Sequence, residues 1–375
     1  MTRLASLISA LPERTQLTLG ESALRMFGAK RLVGAEAIGV YLSLTGAVDD
    51  VEYVLRNTRS LETWIGAWCE RAEDHLAAAN RAASVAMRIA HLRIACCEFA
   101  FANQGHALRD IYDSISGRIV AAHADIHELV TPHYETIDIP AGQDSSAAAL
   151  LRVPEGSGPW PVVVTCQGLE RVKEQGFHFE DACLARGLAV LAVDQPGVGE
   201  TLARRVLLDS AGRLDAFAAG LGIAVEHDDR LDSGRVVIFG HSMGGATTLG
   251  MSAALGASAT ATLGSPLVLR IEEAPAMFRE RARFAAGVET NAEFEALLGE
   301  LDLASRVGDI AGDMLVVHGS ADPVIPLSQS DAIVEAATVP VVHRVYPGGD
   351  HSCTQFASAL WPQIADFFAE SLASV

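Results

Sequence analysis

The segment Gly240-His241-Ser242-Met243-Gly244 sets a serine between two glycines, and Asp322 and His351 follow it in that order, at separations of 322 − 242 = 80 and 351 − 322 = 29 residues. These residue types supply a nucleophile, an orienting acid and a base, the set needed to attack a carbonyl carbon. A serine hydroxyl is a poor nucleophile at neutral pH, so Ser242 needs His351 to accept its proton. The imidazole in turn needs a carboxylate to fix its tautomer and favour the cation that forms. Asp350 is the rival acid, but it adjoins His351 and would have difficulty reaching the inner ring nitrogen. Asp322, taken alone, could equally begin a turn before Pro323. His241 and His318 read as scaffold. The developing oxyanion requires N–H donors. Met243, next after the nucleophile, offers one, and the run Cys166-Gln167-Gly168-Leu169 offers the other, with Leu169 favoured and Gly168 letting the backbone turn.

Such a set works only if separate elements bring it together. Arg235 to Phe239 is a β-branched run entering the serine turn, and Ala246 to Leu255 is a helix-compatible stretch leaving it. Met314 to His318 predicts a strand ending before Asp322, and Val341 to Tyr346 another ending before Pro347-Gly348-Gly349-Asp350-His351. Further strands are expected at Pro161 to Thr165, Leu188 to Val193 and Thr260 to Leu263, with Tyr134 to Ile139 and Ala147 to Val153 as an antiparallel lead-in. Short apolar strands separated by helical stretches read as a mostly parallel sheet with crossover helices. The loop Asp194 to Gly199 is expected to shape the cavity floor. Its G-x-G is no nucleotide fingerprint, because no third glycine follows in register.

The first third has a different period. From about Leu17 to Ile126 it is helical and Ala/Leu-rich; Val85, Ile89, Leu92, Cys96 and Phe99 fall on one helix face. Asp49 and Glu52 have capping-box spacing, and Trp64 and Trp68, one turn apart, read as core. The boundary between the two regions is expected near residues 127 to 136. A balance of 28 Lys and Arg against 47 Asp and Glu, net −19, argues against nucleic acid or an anionic membrane as partner. The six cysteines are scattered, without C-x-x-C or zinc-ligand spacing, as in a reduced cytoplasmic protein. Residues 1 to 12 lack a signal-peptide cleavage pattern, and the most apolar helix, Ser84 to Phe101, carries charges unsuited to a bilayer.

Residues 134 to 375 resemble the α/β-hydrolase superfamily through Gly240 to Gly245, through His318-Gly319-x-x-Asp322-x-x-Ile325-Pro326 and through Gly349-Asp350-His351. The helical region in front, with Gly168-Leu169-Glu170-x-x-Lys173-Glu174 and Asp194-x-Pro196-Gly197-x-Gly199-Glu200-Thr201, looks like one group within it. That group includes 2,6-dihydropseudooxynicotine hydrolase, fungal polyketide-shortening hydrolases and FrsA-like esterases. The resemblance implies an α/β fold with a helical lid domain over residues 1–130 and a catalytic domain over 131–375. It also implies a small-molecule substrate, no metal or organic cofactor, and compatibility with a homodimer. Several members cleave a C–C bond beside a ketone, and a glutamate about thirty residues beyond the nucleophile is suggested to assist. Glu272 and Glu273 are the candidates, on an insertion at Ile271 to Leu303 expected to be helical, and one of them is expected to point into the cavity between lid and core. A solvated helix-start carboxylate is the competing reading. Carboxylester or thioester hydrolysis, acyl transfer, and ligand binding without turnover remain the alternatives.

Overall fold

The computed structural model describes residues 11–373 apart from 143, 269 and 270, so most of the N-terminal stretch weighed as a signal lies outside the described residues. Among the described residues seven helices come first: α1 (Glu13–Phe27), α2 (Ala29–Leu32), α3 (Ala35–Thr45), α4 (Val48–Asn57), α5 (Leu61–Asn80), α6 (Val85–Ala102) and α7 (Arg109–Ala124). Among the described residues no helix is long and apolar enough to cross a membrane.

Two details of this region depart from the sequence pattern. Helix α4 starts at Val48 after Ala47, which offers no side-chain cap, so Asp49 lies inside the helix and makes no capping box with Glu52. A left-handed Gly46 ends α3 and brings the new helix on early; the Asp49 and Asp50 carboxylates then serve the first turn through its dipole. Val85, at the start of the apolar stripe of α6, is exposed, whereas Leu92, Cys96 and Phe99 are buried. Ala95 to Ala102 is buried all round, because α6 runs through the middle of the bundle between α5 and α7. Trp64 and Trp68 pack edge-on with Tyr41 and Phe101 as an aromatic core.

After a short 3₁₀ turn at His127–Leu129 the chain enters the sheet: β1 (Glu135–Pro140), β2 (Ser146–Arg152), β3 (Trp160–Cys166), β4 (Ala189–Val193), β5 (Leu231–His241), β6 (Ala259–Leu263), β7 (Asp313–Gly319) and β8 (Val341–Tyr346). All fall where the apolar runs predict strands. The order is β1-β2-β4-β3-β5-β6-β7-β8, antiparallel from β1 through the β2–β4 pair and parallel from β4 onward. Strands β3 to β7 are buried almost throughout, as a sheet covered on both faces requires. This is the α/β-hydrolase fold.

The helical region is fused to the sheet domain by a shared apolar cluster. Trp68, Phe99, Phe101 and Ile119 pack in one continuous core with Tyr134, Leu150 and Phe177. Polar ties follow the same seam, with Tyr112 Oη donating to Gly199 O (3.2 Å) and Gln104 Nε2 to Glu170 O (2.9 Å). Removing residues 1–126 is therefore expected to uncover apolar surface and yield an aggregating remnant, or one that binds a hydrophobic dye. A monodisperse remnant with unchanged ester selectivity would show instead that these helices are an independent module.

Candidate active site

Strand β5 feeds His241 into a turn that ends at Ser242 and opens helix α11, which is Met243–Met251 in a numbering where α8 is Phe177–Leu184, α9 Gly199–Ala203 and α10 Ala211–Glu226. Ser242 sits at φ 55° and ψ −124°, a conformation side-chain-bearing residues avoid. Its N–H donates to Leu263 O on the neighbouring strand (2.8 Å), while its own carbonyl accepts from Gly245 N (2.8 Å), so the strained residue is clamped at both ends. The turn has room only because Gly244 is a glycine: a Cβ there would lie 2.3 Å from Cys166 O and 2.4 Å from Gln167 O. Close approach of α11 to the β3 loop thus forces the second glycine of the motif.

The Ser242 hydroxyl lies 2.9 Å from His351 Nε2, and His351 Nδ1 lies 2.7 Å from Asp322 Oδ2. One tautomer satisfies both, with Nδ1–H donating to the carboxylate and Nε2 accepting from the serine. Asp322 is held from its other side by the N–H groups of Val324 (2.7 Å) and Ile325 (2.9 Å) on Oδ1. Burial would raise its carboxyl, but hydrogen bonds from His318 and His351 and from Ile325 N–H outweigh burial and hold it well below the usual carboxylate range. It is therefore a fixed anion beneath the imidazole. Asp350 does other work. Its Oδ1 accepts from Ser352 N (3.1 Å) and Thr354 N (2.9 Å), and its Oδ2 from the Thr354 hydroxyl, so it folds the histidine loop on itself.

The two scaffold histidines differ from each other. His318 Nε2 lies between Ile325 O (2.9 Å) and Asp322 Oδ2 (3.3 Å), which makes it a support of the acid. His241 stacks beside His351 at 5.1 Å between ring centres. Burial first, and then the neighbouring His351, push its pKa far down, so it stays neutral and adds no charge beside the base.

Gly168 brings the β3 loop against the nucleophile: a Cβ on it would lie 3.2 Å from Ser242 Cβ. Gln167 O accepts from Gln195 Nε2 (2.7 Å), so the loop after β4 braces the loop after β3. Among the described residues neither Met243 N–H nor Leu169 N–H donates to a backbone acceptor outside regular structure, and both residues line one enclosed cavity. Pro196, Leu208, Ala282 and Phe294 complete its apolar wall, and at about 10 Å³ it holds about one water in this conformation. The last two lie on α12 (Ala276–Ala286) and α13 (Asn291–Leu301), helices of the Ile271–Leu303 insertion. The insertion is anchored to the N-terminal region, since Glu13 on α1 pairs with Arg279 (3.3 Å) and Arg283 (2.5 Å). Among the described residues the cavity is walled by the insertion and the sheet loops, and the N-terminal helices meet this wall through the Glu13 ion pairs.

Of the two glutamates of the insertion, Glu272 does not face the cavity. Glu272, in the 3₁₀ turn Ile271–Glu273, is exposed, because the turn lies ahead of α12 on the outer side and Arg279 Nη1 holds its carbonyl (3.1 Å). The side chain of Glu273 lies outside the described residues. A carboxyl that sequence reading missed, Glu36 on α3, comes near the histidine instead. Burial raises its pKa, and the charges of His351, Asp322 and Asp350 all act on it. Gly39, one turn on, leaves space for only a close approach to the histidine loop, since a Cβ there would lie 3.2 Å from Thr354 Oγ1. No local pattern at residue 36 reports an encounter with residue 351.

Comparison with known proteins places the chain. Residues 174–360 match the model of the Alpha/beta hydrolase family. The 2,6-dihydropseudooxynicotine hydrolase of Paenarthrobacter nicotinovorans is 28% identical over 262 residues, 68% of this chain and 66% of that protein. Esterase FrsA of Escherichia fergusonii is 32% identical over 74 residues, 20% of this chain and 17% of the esterase. The chain thus spans a little under two thirds of the length of the first relative and a small part of the second. In three dimensions, the crystal structure of a 2,6-dihydroxy-pseudo-oxynicotine hydrolase superposes with a TM-score of 0.77 at 22% identity, covering 89% of this chain and 95% of that one.

Proposed function

For this enzyme, an α/β-hydrolase in fold and in family match, we propose hydrolysis through Ser242, His351 and Asp322 of a C–C bond beside a ketone. The observation that carries the catalytic assignment is the unbroken hydrogen-bonded line from Ser242 Oγ through His351 to Asp322, next to the free N–H groups of Met243 and Leu169. In the proposed reaction His351 Nε2 accepts the serine proton as Oγ bonds to the carbonyl carbon. The oxygen becomes an anion held by the two N–H groups. The C–C bond then breaks with its electron pair going to the leaving enolate, whose carbon takes the proton from His351. Water attacks the acyl-serine, again losing a proton to His351; the bond to Ser242 Oγ breaks, His351 returns that proton to the serine oxygen, and a carboxylic acid leaves.

Support for this bond type is the sequence likeness to 2,6-dihydropseudooxynicotine hydrolase. With Glu272 in solvent, the proton for the leaving carbon comes in this scheme from His351 itself. The small apolar cavity suits that transfer, since bulk water would weaken the oxyanion contacts. Ester hydrolysis is the second reading, favoured by the likeness to FrsA. Turnover of a panel containing a 1,3-diketone, an aryl ester and a thioester tests the choice. Faster turnover of the diketone at the Ser242-dependent site supports C–C cleavage. Ester turnover with diketones untouched supports an esterase, and a wild type that neither turns over the panel nor reacts with a fluorophosphonate is a binding protein.

A further inference from the structure

Away from the serine, helices α4, α5 and α6 each contribute one metal-binding side chain to a single point: Asp50, His75 and Glu98 have ligand atoms all within 4.8 Å of one another. Glu98 is fully buried in the middle of the helical bundle, and neither of its carboxylate oxygens has a hydrogen-bond partner. An ionised carboxylate left in that state is strongly unfavourable, because burial strips its water and nothing replaces it. Either a proton or a cation can compensate it, and the neighbouring side chains favour a cation.

The surroundings indicate why. His75 Nε2 is 2.9 Å from Asp50 Oδ2, while its Nδ1 is 2.8 Å from His91 Nδ1. With Nδ1–H donating to His91, the Nε2 lone pair faces the two carboxylates, the arrangement in which a metal-bound imidazole is oriented by a partner on its far nitrogen. The nearby cation, Arg71, does not fill the role. Its Nη1 is 3.9 Å from Asp50 Oδ1, and its Nη2 is engaged by Asp74 (2.6 Å) and Glu70 (3.1 Å).

We propose that Asp50, His75 and Glu98 bind a divalent first-row transition cation, with Zn²⁺ the best match to one imidazole and two carboxylates, and that this ion staples α4, α5 and α6 together. The 2.9 Å between His75 Nε2 and Asp50 Oδ2 is a hydrogen-bond distance, and the two side chains need to part by only about half an ångström to take bonds of roughly 2.0–2.2 Å to a shared tetrahedral ion. In the metal-free protein burial first, then the Asp50 charge, push Glu98 up to about 9, with Arg71 opposing and Asp74 adding.

The test uses the tag-free full-length chain, stripped with a chelator and titrated with Zn²⁺ by calorimetry at pH 8, with metal content and Tm followed in parallel. One equivalent bound per chain and a raised Tm are expected. Glu98→Gln should lose that equivalent, and His91→Ala should weaken it about 10–100-fold. Ser242→Ala should bind Zn²⁺ as the wild type does, which separates this site from the catalytic proposal. Absence of stoichiometric binding to the wild type, a measurement independent of how any variant folds, would overturn the proposal. So would an undiminished equivalent in Glu98→Gln. No Zn²⁺ binding, together with a higher Tm for Glu98→Gln at pH 8, would assign the contact to a proton shared by two carboxyls.

Discussion

Alanine in place of Ser242 is expected to lower kcat on an aryl ester by about 10⁶-fold, and alanine in place of His351 by a similar factor. The double variant should be scarcely worse than either single one. Nucleophile and base act as one unit: without the imidazole 2.9 Å away the hydroxyl keeps its proton, and without the hydroxyl the imidazole has nothing to activate. Residual catalysis would come from the Met243 and Leu169 donors and from binding alone. Steady-state kinetics with a far-UV spectrum of each variant checks this. A loss under tenfold for a folded Ser242→Ala would remove the serine from the mechanism, as would fluorophosphonate labelling that persists in it.

Asp322→Asn is expected to cost about 10⁴-fold in kcat, while Asp350→Asn should cost less than about tenfold. The asymmetry follows from geometry. Asp322 reaches the inner nitrogen of His351 at 2.7 Å, and an amide there loses the charge that stabilises the imidazolium and can present its N–H₂ to the ring, selecting the wrong tautomer. Asp350 bonds only within its own loop and at the foot of it, so its replacement loosens the histidine without changing its proton. A crippled Asp350→Asn beside a mild Asp322→Asn would reverse the assignment. The same replacement has a signature in stability. The folded-state pKa of Asp322 is depressed, so its contribution is present above the ordinary aspartate value and fades as the pH falls through the folded one. Asp322→Asn should therefore flatten the acid limb of the Tm profile, apart from any change in rate.

How much of this was legible in the residues differs from element to element. The strands were, because a sheet buried on both faces demands unbroken β-branched runs and each run, such as Arg235 to Phe239, carries its own signal. The serine turn was as well, since a β-branched run leads into Gly240-His241-Ser242-Met243-Gly244 and a helix-compatible stretch leaves it, although the crowding that requires Gly244 comes from the distant β3 loop. Asp322 could be preferred over Asp350 since a residue next to the histidine in sequence is poorly placed to reach its inner nitrogen. The capping-box spacing of Asp49 and Glu52 failed because a preceding left-handed glycine, not a side chain, decided where α4 begins.

Sequence by itself therefore determined the fold class and the order of the chemistry-bearing residues, because strand runs and the serine turn carry their signals within a few residues of chain. Tertiary structure alone decided the rest. It put Glu272 in solvent and Glu36, on the third helix, within reach of the charge of His351. It walled the cavity with α12 and α13 of the insertion, and it gathered Asp50, His75 and Glu98 from three helices to one point. Encounters of this kind depend on how whole elements pack, and a side chain's spacing along the chain carries no record of which distant neighbour its helix will face.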